Sequence, residues 1–402
     1  VDDLAHIDWI PAGTGFTAAD MIHRADPTRD LDDALADVDL LVTGPHASAA
    51  MPEELRDHVD VRFTRRLQHD FTDISTSPIA RRWAEIDPHV LYVEDPHPRA
   101  VRDANRPRPT DLVAGLREAF ERLGDDAPTA RPSLAGVDAV RPVTFGYLPV
   151  YRRPTDGEDW KRLARALDAA GALGVDRYET LRDDLVERIV EAKLRKLATL
   201  DPERCTVAEW HRATHLDVLS IHDTMNRTAR PDGAICLERE AADRLPNVVA
   251  LSNRGDAEAG QRPTEAGGLV ADADVVTMAP ARLRTIAAAY RQAFDAPGPD
   301  DVAFNRPYLG GHETTTLAPR LRAIAPRAIH RPTGAPARRL HLGAFQNEFL
   351  REFLLGPEAA AHLAEPGTDW VGPPPERVED LAQRLKTAHD LVRTWGTLPD
   401  RD

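Results

Sequence analysis

Cysteine is almost missing from this chain: Cys205 and Cys236 are the only two among 402 residues, and neither sits in a C-x-x-C pair. A disulfide framework is thereby excluded, and a reducing cytosol is the expected compartment. No stretch of 18 uninterrupted apolar residues occurs, so no membrane span is expected. A basic segment leading into an apolar run is also lacking at the start, so no signal peptide is expected. Positive charge is in deficit, with 51 basic against 66 acidic residues and a formal net charge of −15. That balance argues against a nucleic-acid partner, which favours a basic footprint. It leaves room for a small anionic substrate, because a local arginine cluster can oppose the net field. Gly13-Thr14-Gly15 reads as an ordinary turn, because no strand precedes it as a phosphate loop requires.

What the chain does have is a 42% hydrophobic content, ample for a core. Strands are expected near 39–43, at Val90-Leu91-Tyr92-Val93, at 217–221, within Pro246–Ser252, near 300–304 and near 340–347. Helices are expected from Pro52-Glu53-Glu54-Leu55, around Ser77–Arg82, over 111–123 and over 279–294. Residues 159–200 are strongly helical and read as a solvated helical hairpin, with Leu181, Leu185, Ile189 and Val190 recurring at three- and four-residue steps. The portion after Gly356 is helical and punctuated by proline. Strands alternating with helices predict an α/β fold: a mixed, mostly parallel sheet covered by helices on both faces.

Three segments sit where hydrophobic runs give way to polar residues. Leu40–Ser48 and Val218–Met225 read as buried strands that deliver His46 and His222 near their carboxyl ends. Phe345-Gln346-Asn347-Glu348-Phe349 places a glutamate inside an apolar stretch. Ligands gather outside the carboxyl ends of strands in open α/β sheets. Two imidazoles and a carboxylate converging there suit a catalytic Zn²⁺, which takes three protein ligands and leaves one position open. Glu348 is the candidate general base: burial raises its pKa and a neighbouring cation lowers it, leaving a proton acceptor near neutrality. Tyr308 and His312 flank Gly310-Gly311 and are candidate catalytic donors to a developing oxyanion. Arg254, just past a strand end, is expected to face the pocket.

In order along the chain stand Gly44-Pro45-His46-Ala47-Ser48, Met51-Pro52-Glu53-Glu54-Leu55, Asp70-Phe71-Thr72-Asp73, and Arg102-Asp103-Ala104-Asn105-Arg106-Pro107. They are followed by Ile221-His222-Asp223-Thr224-Met225, Asn305-Arg306-Pro307-Tyr308-Leu309-Gly310-Gly311-His312 and Gln346-Asn347-Glu348-Phe349-Leu350-Arg351. This ordered set resembles the N-formylglutamate amidohydrolase family over roughly residues 38–107 and 175–355. The resemblance implies a zinc-carboxypeptidase-like α/β/α fold, one Zn²⁺ and hydrolysis of an amide bond. It implies a carboxylate ligand from the Asp70–Asp73 segment, with Asp70 taken as third metal ligand and Asp73 as the alternative. It makes Asp103, Asn105 and Arg106 a substrate-carboxylate clamp and groups Arg351 with the substrate-binding residues. The family's usual histidine segment is D-x-H-S-M, whereas Ser220-Ile221-His222-Asp223 stands here. Residues 1–402 are read as a single metallohydrolase domain, with 107–175 as an insertion and 357–402 as a helical extension atypical of the family. The expected substrate is a small acidic N-acyl amino acid; a peptide-like amide, with residues 155–200 as a recognition platform, and a catalytically silent binding protein are the alternatives.

Overall fold

The computed structural model describes residues 4, 6–124, 131–201, 204–263, 275–324 and 340–395. Its centre is a seven-stranded sheet. In chain order the strands are β1 (Ile22–His23), β2 (Leu40–Gly44), β3 (Val90–Glu94), β4 (His215–Thr224), β5 (Val249–Ser252), β6 (Val302–Phe304) and β7 (His341–Leu350). They lie across the sheet as β6-β5-β7-β4-β2-β3-β1. The run β7-β4-β2-β3 is parallel throughout, as is β5-β6, while β5 meets β7 and β1 meets β3 antiparallel. The fold is therefore a mixed, mostly parallel α/β sheet, as the alternation of elements predicts.

Side chains of a strand alternate between its two faces, and the core follows that rule. Leu40, Val42, Leu219, Ile221, Phe345 and Phe349 turn to one face, where helices α1 (Thr76–Ile86), α4 (Pro280–Ala293) and α6 (Pro375–Trp395) cover them with Ile79, Trp83, Leu283, Ile286, Leu381 and Leu385. Leu41, Leu216, Val218 and Ala344 turn to the other, under α3 (Val175–Thr199) and α5 (His312–Ile324). The even-numbered residues of β4 thus share the second face, which places Ser220 and His222 side by side on it. Residues 51–71, 112–123 and 157–173 contribute to a separate apolar cluster around Leu55, Phe63, Leu67, Phe120 and Leu163. Among the described residues no helix is long and apolar enough to cross a membrane.

Most expected elements are present with shifted ends. Two depart from expectation. Pro52-Glu53-Glu54-Leu55 does not open an α-helix: Met51–Pro52 is a short strand and Glu53–His58 a 3-10 turn. The helical stretch 159–200 is the pair of helices a hairpin requires, α2 (Gly157–Leu173) and α3, divided at Gly174, and both bury apolar side chains instead of standing free in solvent. A Cβ on Gly174 would stand 2.4 Å from the His97 ring, so the break lets the chain pass closely over that imidazole. Within the segments 107–175 and 357–402, residues 125–130 and 396–402 lie outside the described ones.

Candidate metal centre and its cavity

His46 lies two residues beyond β2, and His222 is near the end of β4. The parallel register of β7 with β4 sets Gln346 beside Ser220 and Glu348 beside His222. Adjacent parallel strands therefore deliver both imidazoles and the glutamate to one end of the sheet, as their positions after apolar runs suggested. The two imidazole rings are 5.0 Å apart, centre to centre.

The carboxylate between them is that of Asp73. Its Oδ2 stands 2.9 Å from His46 Nδ1 and 2.7 Å from His222 Nδ1, and its backbone N–H donates to the His46 carbonyl at 3.0 Å. One ligand atom from each of the three residues lies within 4.8 Å of the others, and all three residues are buried. Asp70, taken above as the third ligand, is not in this cluster; Asp73, the alternative, stands in its place. Asp70 ends the short helix Arg65–Asp70, and its Oδ1 accepts from Arg351 Nη1 at 3.2 Å, away from the histidines. Arg351 also donates to Asp223 and to the Thr72 carbonyl. It is thus a buried clasp on the 70–73 segment rather than a residue lining the cavity, and its place among the substrate-binding residues is corrected accordingly.

Both contacts are at hydrogen-bond distance: each Nδ1 donates to Asp73 Oδ2 when it carries a proton and turns a lone pair toward a cation when it does not. Two imidazole nitrogens and one carboxylate oxygen are a donor set that fits a divalent cation such as zinc. Each imidazole is braced at its far nitrogen: His46 Nε2 lies 2.7 Å from Asp103 Oδ1, and His222 Nε2 lies 2.9 Å from Ser220 Oγ. Such outer-shell partners fix ring orientation in metal sites. Burial and the Arg99 charge both lower the pKa of His46, yet the carboxylates of Asp103 and Asp73 prevail and raise it to about 9. Burial alone would raise the Asp73 carboxyl, but the two histidines hold it far below the usual range.

The centre opens into a cavity of about 260 Å³, lined among others by Glu348, Tyr308, Asn105, Arg99, Arg106 and Arg239. Glu348 Oε1 accepts from Thr224 Oγ1 at 2.7 Å and Oε2 from Gln346 Nε2 at 2.9 Å. Burial pushes its pKa up, with His222 opposing. Asn105 Oδ1 accepts from the Glu313 backbone N–H at 3.0 Å. A Cβ on Gly311 would fall 2.2 Å from Asn105 Nδ2, so the second glycine of Gly310-Gly311 is what admits this amide.

The remaining expected residues are distributed unevenly. Asp103 braces His46 and bonds Arg99 instead of facing a substrate. Arg106 does reach the cavity, but its Nε donates to Asp138 Oδ2 at 2.8 Å and its Nη1 to the Asn105 carbonyl at 3.1 Å. Tyr308 lines the cavity, and its hydroxyl is 3.3 Å from Arg239 Nη1. His312 starts α5 and is not among the cavity-lining residues. Arg254 is not among them either; its backbone and guanidinium bond the carbonyls of Leu309 and Gly310 and hold that loop.

Two arginines escaped the sequence reading. Arg99 lies over Phe145, with its carbon 4.7 Å from the ring centre, and Arg239 projects into the cavity beside Tyr308. Arg99 is committed to Asp103. Arg239 forms no ion pair among the described residues, and its Nε has no hydrogen-bond partner. No motif marks Arg239, which directly follows the hairpin strand Ile235–Glu238.

Residues 38–167 match the family model of N-formylglutamate amidohydrolase. No curated protein sequence matches the chain. Among solved structures, the N-formylglutamate amidohydrolase of Ralstonia eutropha JMP134 is 16% identical, with a TM-score of 0.44 over 92% of this chain and 98% of that one. A gene product of Agrobacterium tumefaciens is also 16% identical, with a TM-score of 0.42 over 89% of this chain and 93% of that one. The resemblance read from the sequence thus stands for residues 38–167: this segment, which supplies His46, Asp73, Asp103 and Asn105, matches a family of amidohydrolases, hydrolases that act on C–N bonds.

Proposed function

We propose that this protein is a zinc-dependent hydrolase of the C–N amide bond of a small acidic N-acyl amino acid, of the N-formylglutamate kind. The observation that carries the proposal is the His46–Asp73–His222 cluster opening, together with Glu348, into a cavity whose wall bears Arg239. Zn²⁺ bound by these three residues would supply Lewis-acid polarisation of the carbonyl and of water. Glu348 takes a proton from the attacking water on its carboxylate and returns it to the leaving nitrogen as the C–N bond breaks, releasing an acid and an amine. Its burial suits both halves of that task, since a raised pKa makes a better base and a usable acid. The Tyr308 hydroxyl, on the cavity wall, is the candidate donor to the developing oxyanion.

Arg239 is the group best placed to hold the substrate carboxylate, because its charge is not already spent on a protein carboxylate. Arg106 is spent in that way, on Asp138. The volume of the cavity, about 260 Å³, lies just below the roughly 300–1,000 Å³ of cavities that hold drug-sized ligands. A small acid is favoured over a peptide for that reason. No residue of 155–200 is among those lining the cavity, which supports the same choice.

Recognition is tested by pairing each substrate with its neutral amide analogue. Arg239→Ala is expected to lower kcat/KM on the acid about 10- to 150-fold, the equivalent of roughly 1.5–3 kcal/mol for a charge-assisted hydrogen bond. Its effect on the neutral analogue should be small. Arg106→Lys, which loses the bond to Asp138, is expected to depress both substrates alike. A parallel fall for Arg239→Ala would remove it as the anion anchor, and selective loss in Arg106→Lys would transfer that role to Arg106.

A further inference from the structure

Behind His222 lies a buried carboxylate that the hydrolysis itself does not use. Glu313, in the first turn of α5, is fully enclosed and accepts four side-chain hydrogen bonds. Oε1 accepts from Tyr178 Oη at 2.7 Å and from Arg182 Nη1 at 2.8 Å. Oε2 accepts from Thr43 Oγ1 at 2.8 Å and from Ser220 Oγ at 2.7 Å. The Arg182 ion pair keeps Glu313 ionised, so the carboxylate has no proton to give and every one of these partners must donate. The Ser220 hydroxyl therefore spends its single proton on Glu313, and its oxygen can only accept from His222 Nε2, 2.9 Å away. Asn105 Nδ2 stands 3.4 Å from the same nitrogen but has an alternative acceptor in Gln346 Oε1 at 3.5 Å.

We infer that the chain Glu313–Ser220–His222 is a positioning relay that keeps the proton of His222 on Nε2 and leaves Nδ1 as the metal-binding nitrogen. Nδ1 is the atom that faces Asp73 and His46. His46 is braced in a related way, with Nε2 against Asp103 and Arg99 on the far side of that carboxylate. In both halves of the centre an arginine-paired buried carboxylate stands behind the imidazole. On the β4 side a serine hydroxyl bridges the gap, because Ser220 and His222 share one face of the strand two residues apart. The hydroxyl carries the polarity of Glu313 to the ring without placing a second negative charge against it.

The relay rests on the proposed metal centre, and its test separates the two. Zinc affinity is measured for the wild type, Ser220→Ala and Ser220→Thr, alongside long-range ¹H–¹⁵N spectra of the zinc-loaded, ¹⁵N-histidine-labelled protein. Outer-shell partners are typically worth about 10- to 100-fold in metal affinity, so Ser220→Ala should raise the zinc Kd by that factor. Ser220→Thr, which keeps the hydroxyl, should remain within about threefold. The wild-type spectrum should show a slowly exchanging proton on His222 Nε2. It should exchange faster in Ser220→Ala, while the His46 Nε2 proton, held by Asp103, stays unchanged. If the wild type binds no zinc, the metal reading fails and the relay with it. If the wild type binds zinc but Ser220→Ala binds it equally well, or His222 Nε2 carries no proton, the relay alone is overturned. A lower melting temperature in Ser220→Ala with unchanged zinc affinity would also overturn it, marking Ser220 as structural.

Discussion

Replacing Asp73 by asparagine is expected to strip the metal from the protein, while the same change at Asp70 leaves it bound. Asp73 Oδ2 is the atom shared between the two imidazole Nδ1 atoms, at 2.9 and 2.7 Å. An amide there supplies at best a weak neutral oxygen, and its NH₂ group turned toward the histidines would oppose a cation. The loss should exceed the roughly 100-fold typical of the strongest outer-shell changes. His46→Ala and His222→Ala should behave like Asp73→Asn. Asp70→Asn removes one ion pair to Arg351, which keeps its bonds to Asp223 and to the Thr72 carbonyl. Its cost should appear as modest destabilisation with metal content near wild type. Metal content by mass spectrometry of the purified variants, alongside thermal melts, decides the matter. Full metal in Asp73→Asn with loss in Asp70→Asn would restore the first sequence assignment.

Glu348→Gln is expected to keep fold and metal and to lose turnover by on the order of 10²–10⁴-fold, the usual span for a general acid–base group. The substitution is nearly isosteric, and the neighbourhood can accept it. The new amide oxygen can take the bond from Gln346 Nε2, and the Thr224 hydroxyl can rotate to accept from the new NH₂ group. What is lost is the capacity to take a proton. The wild-type rate should fall as pH drops through the Glu348 pKa, which burial places above that of an ordinary glutamate, because protonation removes the base. In Glu348→Gln that acidic limb should disappear from the residual rate. Turnover within about threefold of wild type would mean that another group moves the proton.

How far the sequence disclosed this arrangement depended on what each residue's placement required. His46 and His222 were legible because each follows a short apolar run that could only be a buried strand. Glu348 was legible because an ionisable group amid Phe345, Phe349 and Leu350 needs a reason to be there. Asp70 and Asp73 could not be separated by pattern, being three residues apart around a helix end. The choice between them is made by Arg351, which is 281 residues away from Asp70 in the chain and captures it. Arg106 was placed near the cavity correctly, but its engagement by Asp138 is a contact between two loops with no periodicity to announce it. Glu313 went unmarked because no helix was expected over 312–324, so nothing set it in a first turn behind a strand. Pro319 lies inside that helix, and an internal proline usually argues against one. Arg239 had no signal at all, since a cation in an irregular segment after a hairpin strand resembles any solvated arginine.

The central claim is that the His46–Asp73–His222 cluster makes this chain a metal-dependent amidohydrolase. It is tested most directly by following the release of formate and glutamate from N-formylglutamate by the wild-type protein as isolated, after chelation, and after Zn²⁺ is restored. The account predicts hydrolysis by the zinc-loaded protein, its disappearance when the metal is removed, and its return with about one equivalent of Zn²⁺ per chain. Hydrolysis that continues undiminished in the stripped protein, or an inert protein that nonetheless holds its full equivalent of zinc, would contradict it.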